Sequence, residues 1–173
     1  MKVYVVRHGE SDANLTRIHQ SGETQLTETG IKQAETVAER FKDIPINVII
    51  SSSLARAKNT AEKIHQATNA PLEINDIIKE MKRPSEVIGL TMGSDEVNKI
   101  FDEMIAHEDD PSWHYSNEEN FSEIKNRAQE ALNMLANRSD ENVALVSHSI
   151  FMRVLIGIMT FGEKMSPQML RDL

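Results

Sequence analysis

Short apolar runs that break off at polar residues divide the chain. Val3 to Val6 is β-branched and continuous, the pattern of a strand covered on both faces, and it stops at Arg7-His8-Gly9-Glu10. Residues 46–50, INVII, stop at Ser51-Ser52-Ser53, and Val143–Val146 stops at Ser147-His148. Pro71–Ile74 predicts a further short strand. Between these runs the apolar period lengthens to that of a helix. Thr27 is the predicted N-cap of a helix that buries Ile31, Ala34, Val37, Ala38 and Phe41 and ends before Pro45. A second helix buries Leu54, Ala57, Ala61 and Ile64. A third, from Ser94, buries Val97, Ile100, Phe101, Met104 and Ile105. The fourth starts at Ser122 and buries Ile124, Ala128, Ala131, Leu132 and Leu135. The last begins directly after His148, with Ile150, Phe151, Val154, Leu155, Ile158 and Met159 apolar. Residues 9–25, 75–93 and 107–120 read as irregular, the last as a mobile acidic loop, with a lid over a pocket as its functional alternative.

Strands alternating with helices predict parallel βαβ units. The expected fold is a single domain over 1–173, a three-layer α/β/α sandwich with a mostly parallel central sheet. Ligands of such sheets collect outside the carboxyl ends of the strands. Three strands end in polar residues with chemistry: Arg7-His8, Ser51 to Arg56, and Ser147-His148. Parallel strands bring those ends to one edge. Arg56, in the first turn of its helix, adds a cation to the positive end of a helix dipole.

Two arginines and two histidines suit a phosphoryl group. A guanidinium matches phosphate oxygens in a planar fork. A neutral imidazole attacks phosphorus through one ring nitrogen when the other is held by an acceptor. Arg7, Arg56 and a protonated His148 would hold the equatorial oxygens, and an acid must protonate the leaving oxygen.

Composition narrows the field further. The net charge is −8, from 19 Lys+Arg against 27 Asp+Glu, which argues against a broad nucleic-acid face. Cysteine is absent, so thiol catalysis, disulfides and thiolate metal sites are excluded. No apolar run is long enough to span a membrane, and no secretory signal is visible; a cytoplasmic location is the default. Neither a P-loop nor G-x-G-x-x-G occurs, and no G-x-S-x-G elbow precedes Ser147. His19, His65, His107 and His114 lack metal-ligand spacing and read as packing or surface residues. Lys79 to Arg83 reads as a solvated basic face or as a selectivity patch for a second anionic group.

The ordered motifs resemble the histidine phosphatase superfamily, the phosphoglycerate-mutase-like proteins. These are R-H-G-E at Arg7–Glu10, L-T-x-x-G at Leu26–Gly30 with Gln33-Ala34, S-S-x-L-x-R-A-x-x-T-A from Ser51 to Ala61, and Val146-Ser147-His148. The resemblance implies that His8 takes up a phosphoryl group, that Arg7, Asn14 and Arg56 bind it, that His148 is the second catalytic histidine, and that Gln20 lies near the substrate. By position it assigns Glu80 as the acid, with Glu10, Asp12 and Glu86 as competitors. It implies a small phosphorylated substrate, no metal and no cofactor, and makes no statement about oligomeric state. Two departures stand out: Ser149 occupies a position where the family usually has glycine, expected to tighten the turn, and a further C-terminal strand is expected to be missing beyond Leu173. The leading reading is a metal-independent phosphatase. A phosphoglycerate-mutase-type phosphotransferase, a phosphohistidine-protein phosphatase and a non-catalytic phosphate-binding module are the alternatives.

Overall fold

A computed structural model describes residues 1–20 and 22–173; Ser21, within the predicted irregular stretch 9–25, lies outside the described residues. Four strands form one sheet: β1 (Lys2–Arg7), β2 (Val48–Ser51), β3 (Leu72–Ile74) and β4 (Asn142–Ser147). Their order is β1-β4-β2-β3, with every neighbouring pair parallel. The helices are α1 (Asp12–Thr16), α2 (Glu28–Phe41), α3 (Ala55–Thr68), α4 (Asp95–Ala106), α5 (Phe121–Ala136), α6 (Ser149–Phe161) and α7 (Pro167–Asp172).

Strand alternation sorts the core into two layers. Val48 and Ile50 of β2, with Val143 and Leu145 of β4, pack against α5 and α6. Ile49, Ala144 and Val146 face the other way, onto α2 and α3. The inner face of α3 carries alanine at 57 and 61, both fully buried, so small residues let this helix lie close to the sheet. β4 sits in the middle, inserted between β1 and β2, and its residues 143–147 are buried without interruption. This placement positions the site: the strand that ends at His148 is flanked by the strands that end at His8 and at Ser51.

Three residues assigned to buried stripes are exposed. Ile31 and Met159 lie in the first turn of α2 and the last turn of α6, beyond the reach of the sheet, and Ile105 lies on a side of α4 that borders a cavity. α4 does not pack on the sheet at all. Val97 and Ile100 form a separate small cluster with Val87, joined by Leu90, Phe101, Met104 and Tyr115. Nor is the segment 9–25 wholly irregular, since it holds α1, stopped by Arg17 in the left-handed region at φ 55°. Ser149 is simply the first helical residue of α6, a position that needs no glycine. No helix among the described residues is long and apolar enough to cross a membrane.

Two glycines hold the loop after β1 against α2. A Cβ at Gly9 would lie 2.3 Å from the Gly30 carbonyl oxygen, and one at Gly30 would lie 1.9 Å from the carbonyl oxygen of Glu10. Backbone thus packs directly on backbone, and only glycine allows it. Thr27 N–H donates to the Glu10 carbonyl at 3.0 Å, and Glu10 N–H donates to Gln33 Oε1 at 2.8 Å, closing the contact. The motif residues Thr27, Gly30 and Gln33 are therefore the seat of the His8 loop. Gly30→Ala should lower stability by about 3 kcal/mol, because rigid backbone has to move. Urea unfolding reads this directly, and an unchanged midpoint would show that the approach is not tight.

Candidate active site

β1 and β4 run in register, with Arg7 opposite Ser147, and His8 N–H donates to the Ser147 carbonyl at 3.1 Å. Ser52 N–H likewise donates to the Val146 carbonyl at 3.1 Å. The three strands thus release their polar residues at one level. The imidazoles of His8 and His148 lie with centroids 5.1 Å apart, tilted by 55°.

His8 is nearly buried, at 7 % exposure. Its Nδ1 lies 2.7 Å from the Gly9 carbonyl. A carbonyl only accepts, so Nδ1 carries the proton and Nε2 keeps its lone pair. Arg56 Nε donates to that Nε2 at 3.3 Å, which requires the same tautomer. Burial lowers the His8 pKa from 6.5 to about 4; the Gly9 bond opposes this, and the charges of Arg56 and Arg7 reinforce it. The ring is a neutral nucleophile at physiological pH.

His148 departs from expectation. It is wholly buried, and burial, followed by the field of Arg56, drives its pKa down to about 2. The protonated His148 expected around a phosphoryl group is therefore neutral in the free site, because burial makes its charge costly and the nearby cations add to that cost. Its Nε2 lies 2.8 Å from Ser52 Oγ, and its buried Nδ1 has no hydrogen-bond partner among the described residues.

Arg56, 3 % exposed, enters from the first turn of α3. Burial lowers its pKa and the Glu80 carboxylate opposes the shift, so Glu80 lies within electrostatic reach of the guanidinium. Thr60, one turn further on, accepts from Gly9 N–H at 3.2 Å and donates to the Arg56 carbonyl at 2.9 Å. One hydroxyl joins the nucleophile's loop to the helix that carries the arginine. Arg7 is exposed at the strand end, and its charge acts on both histidine rings.

Glu80 is held at the head of α6. Its carboxylate accepts from Ile150 N–H at 3.2 Å, Phe151 N–H at 3.1 Å and Met81 N–H at 2.9 Å. The segment that presents it is braced by Arg127 of α5, whose Nη1 donates to the carbonyls of Ile77 (2.9 Å) and Lys79 (2.8 Å). The rest of that guanidinium grips Glu119 in a fork, both bonds 2.6 Å. Ser147 Oγ ties the same segment to β4 through the Ile78 carbonyl at 2.7 Å.

Of the competing carboxylates, two are bonded to other side chains and one is exposed. Glu10 accepts from Thr27 Oγ1 at 2.7 Å, Asp12 is exposed on α1, and Glu86 is exposed and accepts from Ser116 Oγ at 2.8 Å. Asn14 Oδ1 accepts from Ser11 N–H and Oγ, which leaves its amide nitrogen as the donor side. Gln20 Oε1 is buried without a partner among the described residues. Among the histidines read as bland, His65 Nδ1 donates to the Ala70 carbonyl at 2.7 Å beyond α3, and His107 stacks on Trp113 with centroids 4.1 Å apart. His114 lies 3.5 Å from Glu123. No group of three or more His, Cys, Asp or Glu among the described residues is arranged to hold a metal ion. Sequence reasoning missed Thr60, Ser52 and Arg127 as supports. It also missed Arg153, although this is the lone charge in the apolar helix α6, a visible signal.

The model for the histidine phosphatase superfamily (branch 1) matches residues 3–171. The probable phosphoglycerate mutase GpmB of Proteus mirabilis (strain HI4320) is 32% identical over 174 residues, covering 95% of this chain and 79% of that protein. The adenosylcobalamin/alpha-ribazole phosphatase of Salmonella typhimurium (strain LT2) is 29% identical over 168 residues, covering 90% and 78%. Among solved structures, the alpha-ribazole phosphatase from Shigella flexneri superposes with a TM-score of 0.82 at 23% identity, over 100% of this chain and 85% of its own, a likeness of fold.

The depressed histidines make stability depend on pH. An unfolded His8 takes up a proton near pH 6.5, whereas the folded one does so only near 4. The unfolded state therefore binds more protons between these values, and stability falls as pH drops from 6.5 towards 4. His8 alone should account for on the order of 3 kcal/mol across that window. Urea unfolding of the wild type and His8→Gln at pH 7 and pH 4.5 checks this: the wild type should lose more, and parallel losses would contradict a neutral buried ring.

Proposed function

The chain belongs to the histidine phosphatase superfamily, branch 1, and we propose that it hydrolyses a phosphomonoester through a phosphohistidine formed on His8. The observation that carries this reading is the His8 tautomer. Nδ1 is bonded to Gly9, and the Nε2 lone pair is turned towards Arg56 at the cationic end of the sheet.

The substrate phosphoryl group takes the place of the Nε2 lone pair as the partner of Arg56, whose donors move to its equatorial oxygens, joined by Arg7, Asn14 and His148. The negative charge that arrives also makes the imidazolium form of His148 accessible, supplying a further donor. Nε2 attacks phosphorus in line. The ester P–O bond breaks with its electron pair going to the leaving oxygen, which takes a proton from the Glu80 carboxyl. Water then gives a proton to the Glu80 carboxylate as its oxygen attacks phosphorus. The N–P bond breaks, its pair returns to Nε2, and phosphate leaves with His8 restored. Catalysis in this scheme is positioning plus charge stabilisation by groups of the chain itself.

A second reading, return of the phosphoryl group to a sugar acid instead of water, draws on the relative named probable phosphoglycerate mutase. Hydrolysis of para-nitrophenyl phosphate in EDTA separates the two. The phosphatase reading expects steady turnover, reduced about a thousandfold or more in His8→Ala. In Glu80→Gln, kcat/KM should fall less for para-nitrophenyl phosphate than for phenyl phosphate, because the better leaving group needs less help from an acid. Turnover that survives in His8→Ala would refute the phosphohistidine route. Turnover only with a sugar-acid acceptor would favour the mutase.

A further inference from the structure

A cavity of about 430 Å³ opens next to the segment that presents Glu80, although Glu80 itself is not part of its lining. Its apolar walls include Met81, Phe101, Met104, Trp113, Phe121 and Leu170. Met81 follows the acid in the chain, and Ile150, whose N–H holds the Glu80 carboxylate, also lines the cavity. A leaving group at Glu80 that extends past Met81 and Ile150 would enter this space. The volume suits a small organic body.

Three arginines line it as well, Arg83, Arg153 and Arg171. Arg83 lies over the Phe101 ring, 5.2 Å from its centroid, and His19 meets the same ring edge-on at 5.4 Å. Arg153 Nε and His19 Nε2 are buried without hydrogen-bond partners among the described residues. Burial and, after it, the charge of Arg153 lower the Arg83 pKa, so Arg153 lies within electrostatic reach of Arg83. Glu80 opposes that shift, so it too lies within electrostatic reach of Arg83.

The acidic residues around the cavity have other partners. Glu119 is gripped by Arg127, Glu108 by Arg171, Glu118 by the N–H groups of Tyr115 and Ser116, and Asp110 by Ser112. Among the described residues, Arg83 and Arg153 form no ion pair. Poorly solvated cations with idle donors at the edge of an apolar cavity are a site awaiting an anion.

We propose that Arg83, Arg153 and this cavity form a leaving-group subsite for a phosphomonoester whose alcohol portion joins an apolar body to a second anionic group. The inference rests on the phosphatase reading for what enters the catalytic site. A carboxylate and a phosphate share the required chemistry, and substrates carrying each tell them apart.

The test compares kcat/KM for phenyl phosphate, 4-(carboxymethyl)phenyl phosphate, 4-(phosphonomethyl)phenyl phosphate and 3-phosphoglycerate. The methylene keeps the leaving groups electronically alike. At least one of the two anionic aryl phosphates should exceed phenyl phosphate by about tenfold or more, and that ratio should shrink about tenfold in both Arg83→Met and Arg153→Met. Equal values for the three aryl phosphates overturn the proposal, and so does a preference that persists in both variants. Turnover of 3-phosphoglycerate as good as that of the anionic aryl substrates overturns the requirement for an apolar body. If no ester is hydrolysed, the phosphatase reading has failed, and the subsite is judged separately by calorimetric titration. There, 4-(carboxymethyl)benzylphosphonate binding about tenfold tighter than benzylphosphonate supports it, and equal binding overturns it.

Discussion

The hydrogen bond from His8 Nδ1 to the carbonyl of its own neighbour, Gly9, decides which ring nitrogen is reactive, and the surrounding structure keeps that bond in place. The carbonyl is oriented by a loop held on two sides. On one side the loop lies backbone to backbone on Gly30, and on another Thr60 receives its N–H. The loop begins where β1 ends, and β1 is fixed in register against the fully buried β4. Core packing therefore reaches the reacting atom through a short chain of rigid contacts. A flexible histidine would sample both tautomers and both ring faces; this one is restricted to a single arrangement.

Electrostatics serve the same end. The chain as a whole is acidic, yet its strand ends gather Arg7 and Arg56 around two buried imidazoles. Without an anion, both rings are driven neutral, which leaves His8 nucleophilic and stores unfavourable positive potential around His148. A bound phosphoryl group relieves that potential. The site is thus most comfortable with a negative charge inside it, as expected of donors organised in advance for a charged transition state.

Much of this was legible in the residues. The apolar runs located the strands, and their polar terminations located the site, because a parallel sheet brings its carboxyl ends to one edge. His8, Arg56 and His148 follow from that argument with no coordinates. Less was readable where contacts join distant segments. Nothing local in Arg127 reveals that it braces the stretch presenting Glu80, since its partners lie some 50 residues away. His19 carries no ligand signal in the sequence, yet it stands beside Arg83 on the shared ring of Phe101. The charge state of His148 in the free site is not legible because burial outweighs type: a histidine among arginines reads as an anion binder until the cost of desolvating its charge is counted. The segment 107–120 holds no helix or strand, as read, yet Glu118 is bonded to backbone N–H groups and Glu119 to Arg127, and the segment walls a cavity.

The central claim is that the His8 loop, by binding Nδ1, makes Nε2 the phosphorylated atom. Acid quenching destroys phosphohistidine, so the intermediate is best trapped by rapid alkaline quench during turnover and its linkage read by phosphorus–nitrogen NMR on protein labelled with 15N in histidine. The account predicts one phosphohistidine, at His8, with phosphorus coupled to Nε2. Coupling to Nδ1, or a phosphoryl group on His148 instead, would contradict it.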